Sequence, residues 1–186
     1  MVAESLKQAY YFPTYEQLAS ALEHEAYLAA NGVLVSSTAR WALGNSIYSP
    51  GWALGTLKFV EGEDIEDAYL SGQLGPDDIV LTDGVPAEMP YLQGILTLSP
   101  STPNSHVAIL ANSFNIPFVH LALAEDAAQA QSLVGHRVIV TAYDVNFGES
   151  TVRIHDVEWI LSEETIAEVL ALKALPPLNL QPMETY

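Results

Sequence analysis

Apolar positions along this chain fall in short runs whose period switches repeatedly between that of a helix and that of a strand. Tyr15, Leu18, Leu22 and Ala26 recur at helical spacing, opened by Pro13-Thr14 and closed by Asn31-Gly32, and Val33 to Val35 follows as a short strand. The Ser-, Gly- and Pro-rich stretch from Ser36 to Gly55 reads as a connector. Strands are predicted at Thr56–Val60, Asp78–Thr82, Gly94–Leu98, Pro117–Leu121 and Arg137–Thr141, with further strands at Thr151–Ile154 and Val157–Ile160. Between them the pattern predicts a short acidic helix over Asp64–Gln73, a helix over Pro103–Phe114 and another over Glu125–Leu133. Ser162, with Glu163 and Glu164 behind it, caps a last helix running to about Leu175, and the tail from there is expected to be unstructured. Short apolar strands alternating with helices predict an α/β fold with a partly parallel sheet.

The chain is 186 residues long, and 49% of them are hydrophobic, enough for a core of its own. No apolar run approaches the about 18 residues that would span a bilayer, and the first residues lack the basic start of a signal peptide. A cytoplasmic location is the expectation. With no cysteine, disulfides, thiolate catalysis and cysteine-bound zinc are excluded. Six Lys and Arg face 23 Asp and Glu, a net charge of −17. Nucleic-acid and anionic-membrane partners are excluded on that balance. Any phosphate ligand must then be held by backbone and hydroxyl groups more than by cations.

The stretch from Leu98 to Val119 carries the chemistry. Thr102 has the character of an N-cap and Pro103 that of a first helical residue. Val107, Leu110, Ala111 and Phe114 would form the buried face, with Asn115 at the left-handed cap and Pro117 ending the helix. This leaves His106 in the first turn beside the hydroxyls of Ser101, Thr102 and Ser105. A helix start presents free N–H groups and partial positive charge, so a phosphoryl group carried on that imidazole would point into donors. Taken alone, the same pattern fits a plain surface histidine at a helix start equally well.

The ordered set of motifs around it resembles the mobile, swivelling phosphohistidine domain of the PEP-utilising enzyme family, as in pyruvate phosphate dikinase and phosphoenolpyruvate synthase. The matching residues are Gly94-Ile95-Leu96-Thr97, Ser105-His106, Ala108-Ile109-Leu110-Ala111 and Asn115-Ile116-Pro117. Flanking matches are Ser49-Pro50-Gly51-Trp52-Ala53-Leu54-Gly55, resembling the family's P-G-x-A-x-G entry, then Asp77-Asp78-Ile79-Val80-Leu81-Thr82, and Pro86 with Met89-Pro90. Two departures stand out: the family's glycine pair is replaced by Ser99-Pro100 or Ser101-Thr102, and its arginine after the A-I-x-A run is Asn112. The closing glycine-rich element is only loosely echoed, over Gly135–Thr141 and Gly148–Val152.

The resemblance implies a swivelling β/β/α domain over 49–160, preceded by an N-terminal helical extension and connector over 1–48 and followed by a C-terminal helix and tail over 161–186. It implies His106 as the phosphoryl acceptor, with Thr102, Ser105 and Ser101 on the phosphate. It also implies two partners, fused or separate: an ATP-grasp nucleotide-binding domain and an acceptor domain. Mg²⁺ and ATP or phosphoenolpyruvate are expected on those partners, and no cofactor on this chain alone. The chain would be inactive by itself, one domain of a phosphotransferase of kinase or dikinase type. A degenerate swivelling domain, kept as a docking or regulatory module, is the alternative.

Other candidates read more plainly. His120 is expected in the core or on a sheet face, and His24, His136 and His155 at the surface. No histidine spacing suits zinc. Asp83 and Glu88 bracket a turn and are assigned to turn and cap roles ahead of Mg²⁺ binding. Arg40 is a minor candidate for a phosphate contact. Trp41, Trp52 and Trp159 are expected to pack.

Overall fold

The computed structural model describes residues 9–13, 15–35, 44–145 and 149–173. A small βαβ unit comes first. Strand β1 (Ala9–Tyr11) pairs in parallel with β2 (Val33–Val35), and two short helices, α1 (Tyr15–Glu23) and α2 (Glu25–Ala30), form the crossover. The single helix expected here is thus divided at His24. Among the described residues of this unit, Ala21 is buried. Thr14, Arg40, Trp41 and the tail from residue 174 lie outside the described residues.

The body of the molecule is a mixed α/β fold around one curled seven-stranded sheet of order β3-β7-β6-β5-β4-β8-β9. Its strands are β3 (Ser46–Ser49), β4 (Gly51–Phe59), β5 (Asp78–Thr82), β6 (Gly94–Thr97), β7 (Phe118–His120), β8 (Arg137–Val145) and β9 (Glu149–Asp156). Strands β4, β5, β6 and β7 run parallel, while β3, β8 and β9 are antiparallel to their neighbours. The helices of this part are α3 (Ile65–Leu70), α4 (His106–Ser113), α5 (Ala124–Ser132) and α6 (Glu163–Ala171).

The curl follows from one stretch of chain. Residues 46–59 are interrupted only at Pro50, yet β3 pairs with β7 at one edge while β4 lies between β5 and β8. Within β4 the partner changes at Thr56, residues 51–56 pairing with β8 and 56–59 with β5. Gly55 permits the crossing, since a Cβ there would stand 2.4 Å from the Asp77 carbonyl oxygen. Gly51 adopts φ +146°, a conformation that favours glycine.

Both faces of the parallel strands are buried, which is why β5 reads as a continuous apolar run. On one face Val80, Ile95 and Phe118 pack against α3 and α4 through Ile65, Ala68, Val107, Ala108 and Ala111. On the other, Ile79, Leu81, Leu96 and Val119 pack against Val138, Val140 and Ala142 of β8, Ile154 of β9 and Ala130 of α5. The order is therefore α3 and α4, then the parallel strands, then the antiparallel strands together with α5. Helix α6 covers Leu54 from outside through Ile166.

Several expectations are corrected here. The connector expected over Ser36–Gly55 contains β3 and the start of β4, because pairing with β7 and β8 makes strands of Ser46–Ser49 and Gly51–Gly55. The acidic helix is only a 3-10 turn, Gly62–Asp64, plus α3, and Gly72 at φ +79° ends that segment. Residues 157–160 turn toward α6, and Trp159 is 91% exposed where packing was expected. Among the described residues no helix is long and apolar enough to cross a membrane.

Candidate functional site

The carboxyl ends of β5, β6 and β7 carry a row of buried polar side chains in register: Thr82 beside Thr97, and Thr97 beside His120. Two members of the row shape the chain that follows. Thr82 Oγ1 donates to the Gly84 carbonyl at 2.8 Å and accepts from the Gly84 N–H. Thr97 Oγ1 does the same with Ser99, at 2.8 and 3.1 Å. Each threonine thus closes its strand with a tight turn. The second turn launches residues 98–105, which lead into α4. In open α/β sheets the carboxyl ends of parallel strands are where ligands bind.

The start of α4 differs in register from the sequence expectation. Ser105, not Thr102, is the N-cap: its Oγ accepts from the Ala108 N–H at 3.1 Å, and its carbonyl accepts from the Ile109 N–H at 3.0 Å. The Thr102 carbonyl instead accepts from the Ser105 N–H at 3.0 Å, closing a turn before the helix. Pro103 lies in that turn and is exposed. His106 becomes the first residue of α4 and is exposed. Among the described residues its ring makes no hydrogen bond or ion pair, and the N–H groups of His106 and Val107 have no acceptor. The hydroxyls expected near it divide in role. Ser101 Oγ lies 3.4 Å from Ser105 Oγ. Thr102 is half-buried and serves the turn through its backbone.

Two residues outside the expected set hold this loop. Tyr48 Oη accepts from the Ser101 N–H at 2.8 Å, and the Tyr48 ring packs on Phe118 with centroids 4.8 Å apart. Asn112 Nδ2 donates to the Tyr48 and Ala108 carbonyls, each at 2.9 Å, and ties α4 to β3. The position after Ala108-Ile109-Leu110-Ala111 thus holds a structural amide. Neither role shows in the sequence, because Tyr48 falls in a stretch that reads as a connector.

His120 lies inside, as expected, 2% exposed with Nδ1 lacking a hydrogen-bond partner. Burial lowers its pKa, partly offset by the Leu98 backbone. His24 and His155 are exposed, and His136 Nδ1 sits 2.9 Å from Asp156 Oδ2. Asp83 Oδ1 accepts the Gly62 N–H at 2.8 Å and so holds the 3-10 turn ahead of α3, not the turn that follows β5, and Glu88 is exposed. Of the described cations, Lys58 pairs with Asp78 at 2.8 Å and Arg137 with Glu163 at 2.7 Å. Lys173 lies over Trp52, and Arg153 is on β9. None belongs to the loop or helix that carries His106. Among the described residues no cluster of His, Asp and Glu could hold a metal ion.

No protein-family model, curated protein or solved structure matches this chain.

Proposed function

We propose that this chain is a phosphohistidine carrier of the swivelling β/β/α type, one domain of a phosphotransferase resembling phosphoenolpyruvate synthase and pyruvate phosphate dikinase. The observation that carries the reading is the placement of His106. It is exposed on the first turn of α4, behind a serine cap, at the end of a loop leaving a central parallel strand. The layering of α3 and α4 over parallel strands, with antiparallel strands on the far side, supports the same reading.

In the proposed step an imidazole lone pair of His106 attacks phosphorus in line. A P–N bond forms as the P–O bond to the nucleotide or to enolpyruvate breaks, and the leaving oxygen keeps the electron pair. Ser105 Oγ, already an acceptor from Ala108, retains its own O–H to donate to a phosphoryl oxygen, with the Ser101 hydroxyl beside it. Charge on the phosphoryl group is offset by Mg²⁺ and by cations of an ATP-grasp partner. A second transfer passes the group to an acceptor domain.

The test is intact-mass or radiolabel uptake with the nucleotide-binding partner, Mg²⁺ and ATP present, comparing wild type with His106→Asn. Wild type gains one acid-labile phosphoryl group and the variant none. The isolated chain gains none from ATP or phosphoenolpyruvate. Equal labelling of both proteins, or an acid-stable label on Ser101 or Ser105, would remove His106 from the role. The alternative, a docking module that has lost transfer, is favoured by Asn112, whose amide is spent on the Tyr48 carbonyl. Absence of label under every partner condition selects that alternative.

A further inference from the structure

Beside the loop that leads to His106 lies a titratable side chain that the transfer step does not use. Phe118 packs toward α4, and side chains alternate along a strand, so His120 lies on that same face of β7. It is 2% exposed, in register with Thr97 on one side and Ser46 on the other. Its Nδ1 has no hydrogen-bond partner, and a buried polar atom left unpaired is a rare feature that calls for a cause. The neighbouring hydroxyl is engaged, since Thr97 Oγ1 both donates to and accepts from the Ser99 backbone. Burial lowers the pKa of the ring, and the backbone of Leu98, where the loop begins, raises it, as a carbonyl accepting from a ring N–H does.

Strand β7 therefore holds the 98–105 loop at two points. Phe118 supports the Tyr48 ring, whose Oη accepts from the Ser101 N–H, and His120 meets Leu98. The groups around His120 offer no counter-charge. Strand β6 and the loop carry no titratable side chain, β3 carries Tyr48 alone and α4 His106 alone. Between Gly84 and Leu123 the chain has one carboxylate, the exposed Glu88, and no Lys or Arg. The carboxylates of α3 and its leading turn, Glu61, Glu63, Asp64, Glu66 and Asp67, are exposed. Glu125 and Asp126 open α5, which packs on the opposite face of the sheet, and Asp126 accepts from the Asn45 amide.

A proton on Nδ1 would add an N–H without an acceptor in a buried place without an opposite charge. The ring regains water only when the loop beside it moves, so the open loop binds that proton more tightly than the seated one, and acid shifts the balance toward it. We infer that His120 is a positioning residue for His106: the neutral ring keeps the 98–105 loop seated, and protonation of His120 unseats the loop and takes His106 out of the transfer position. The inference rests on the carrier reading for what the loop presents, but the unseating is read without phosphorylation.

The experiment is an acid titration of the full chain, from neutral pH to the onset of unfolding, followed by NMR of the imidazole nitrogens and of amide exchange. His120 is expected to titrate below the ordinary imidazole value of about 6.5. As it does, protection of the Ser101 and Ser105 N–H groups, held in the seated loop by Tyr48 Oη and the Thr102 carbonyl, falls about tenfold or more, while the amides of β5 and β6 stay protected. His106→Asn opens as wild type does. His120→Gln keeps an N–H for Leu98 and cannot be charged, so its loop stays protected over the same range. Should that variant fail to fold, wild type alone decides: the ring nitrogens of His120 and the loop amides must share one midpoint. Equal loss of protection in His120→Gln, an opening that follows another histidine, or a His120 that titrates with the loop unmoved or stays neutral until the chain unfolds overturns the inference. With a nucleotide-binding partner in hand, the labelling rate of His120→Gln relative to wild type should rise as pH falls through the transition. A flat ratio despite loop opening overturns the positioning role alone, whereas loop opening with no label at any pH overturns the carrier reading alone.

Discussion

Ser105 organises the candidate site with two atoms, its Oγ and its carbonyl oxygen meeting the third and fourth N–H groups of α4. Loss of the hydroxyl leaves the Ala108 N–H unpaired in a half-buried setting. Ser105→Ala is expected to cost about 1 kcal/mol, the usual worth of a serine cap. His106→Ala removes no hydrogen bond or buried surface and should stay within about 0.5 kcal/mol. Urea unfolding of the two variants separates a structural cap from a functional neighbour: equal large losses would make His106 structural. A sharper constraint sits at Gly55. Its missing Cβ leaves room for the Asp77 carbonyl, and an alanine would place carbon 2.4 Å from that oxygen. Relief requires moving the turn that joins α3 to β5, so Gly55→Ala is expected to destabilise by about 3 kcal/mol. A variant as stable as wild type in the same urea experiment would mean that β4 need not cross so close. Of the glycines in the Ser49–Gly55 motif, Gly55 is thus explained by packing and Gly51 by its φ of +146°.

At the scale of elements, α4 shows what the sequence reveals and where it stops. The helix, its apolar stripe and its stop at Asn115-Ile116-Pro117 were legible, because periodicity and the φ +54° position of Asn115 are local properties. Its start was not. Thr102-Pro103 satisfies the cap rules as well as Ser105 does, and the choice is made by a distant hydrogen bond, Tyr48 Oη to the Ser101 N–H, which holds the preceding loop off the helix. Strand β3 was missed for a related reason: four residues between Asn45 and Pro50 become a strand only by pairing with β7. Likewise Val157–Ile160 is apolar enough for a strand, but the chain turns there to reach α6. Phe114 was expected in the core and instead stands 42% exposed. Phe114→Ala should therefore cost about 1–2 kcal/mol in thermal or urea unfolding, below the about 3–5 kcal/mol of a fully buried ring. A loss in the higher range would show that the ring is integral to the fold.

At the scale of the whole molecule, a chain of net charge −17 has few buried groups whose titration stands apart from general self-repulsion, and two lie on opposite sides of neutrality. His120 is held neutral by burial, so its native pKa lies below the unfolded value of about 6.5. As pH falls below that value the unfolded chain takes up a proton that the native protein refuses, and this group's contribution to stability declines. Lys173 acts in the alkaline range. Its Nζ donates to the Trp52 carbonyl at 2.6 Å and lies 5.1 Å from the Trp52 ring centroid, and burial lowers its pKa to about 8. The unfolded value is about 10.4, so between these pH values the unfolded chain holds more protons than the native one. Stability from this group must therefore rise as pH goes from about 8 toward 10.4. Over the same range the acidic chain only grows more negative, which acts the other way, so the effect is read as a difference between proteins. The unfolding free energy of wild type relative to Lys173→Met should climb across that window and level off on either side of it. A difference that stays flat through the window would mean that Lys173 titrates as an exposed lysine and that α6 is not anchored on Trp52.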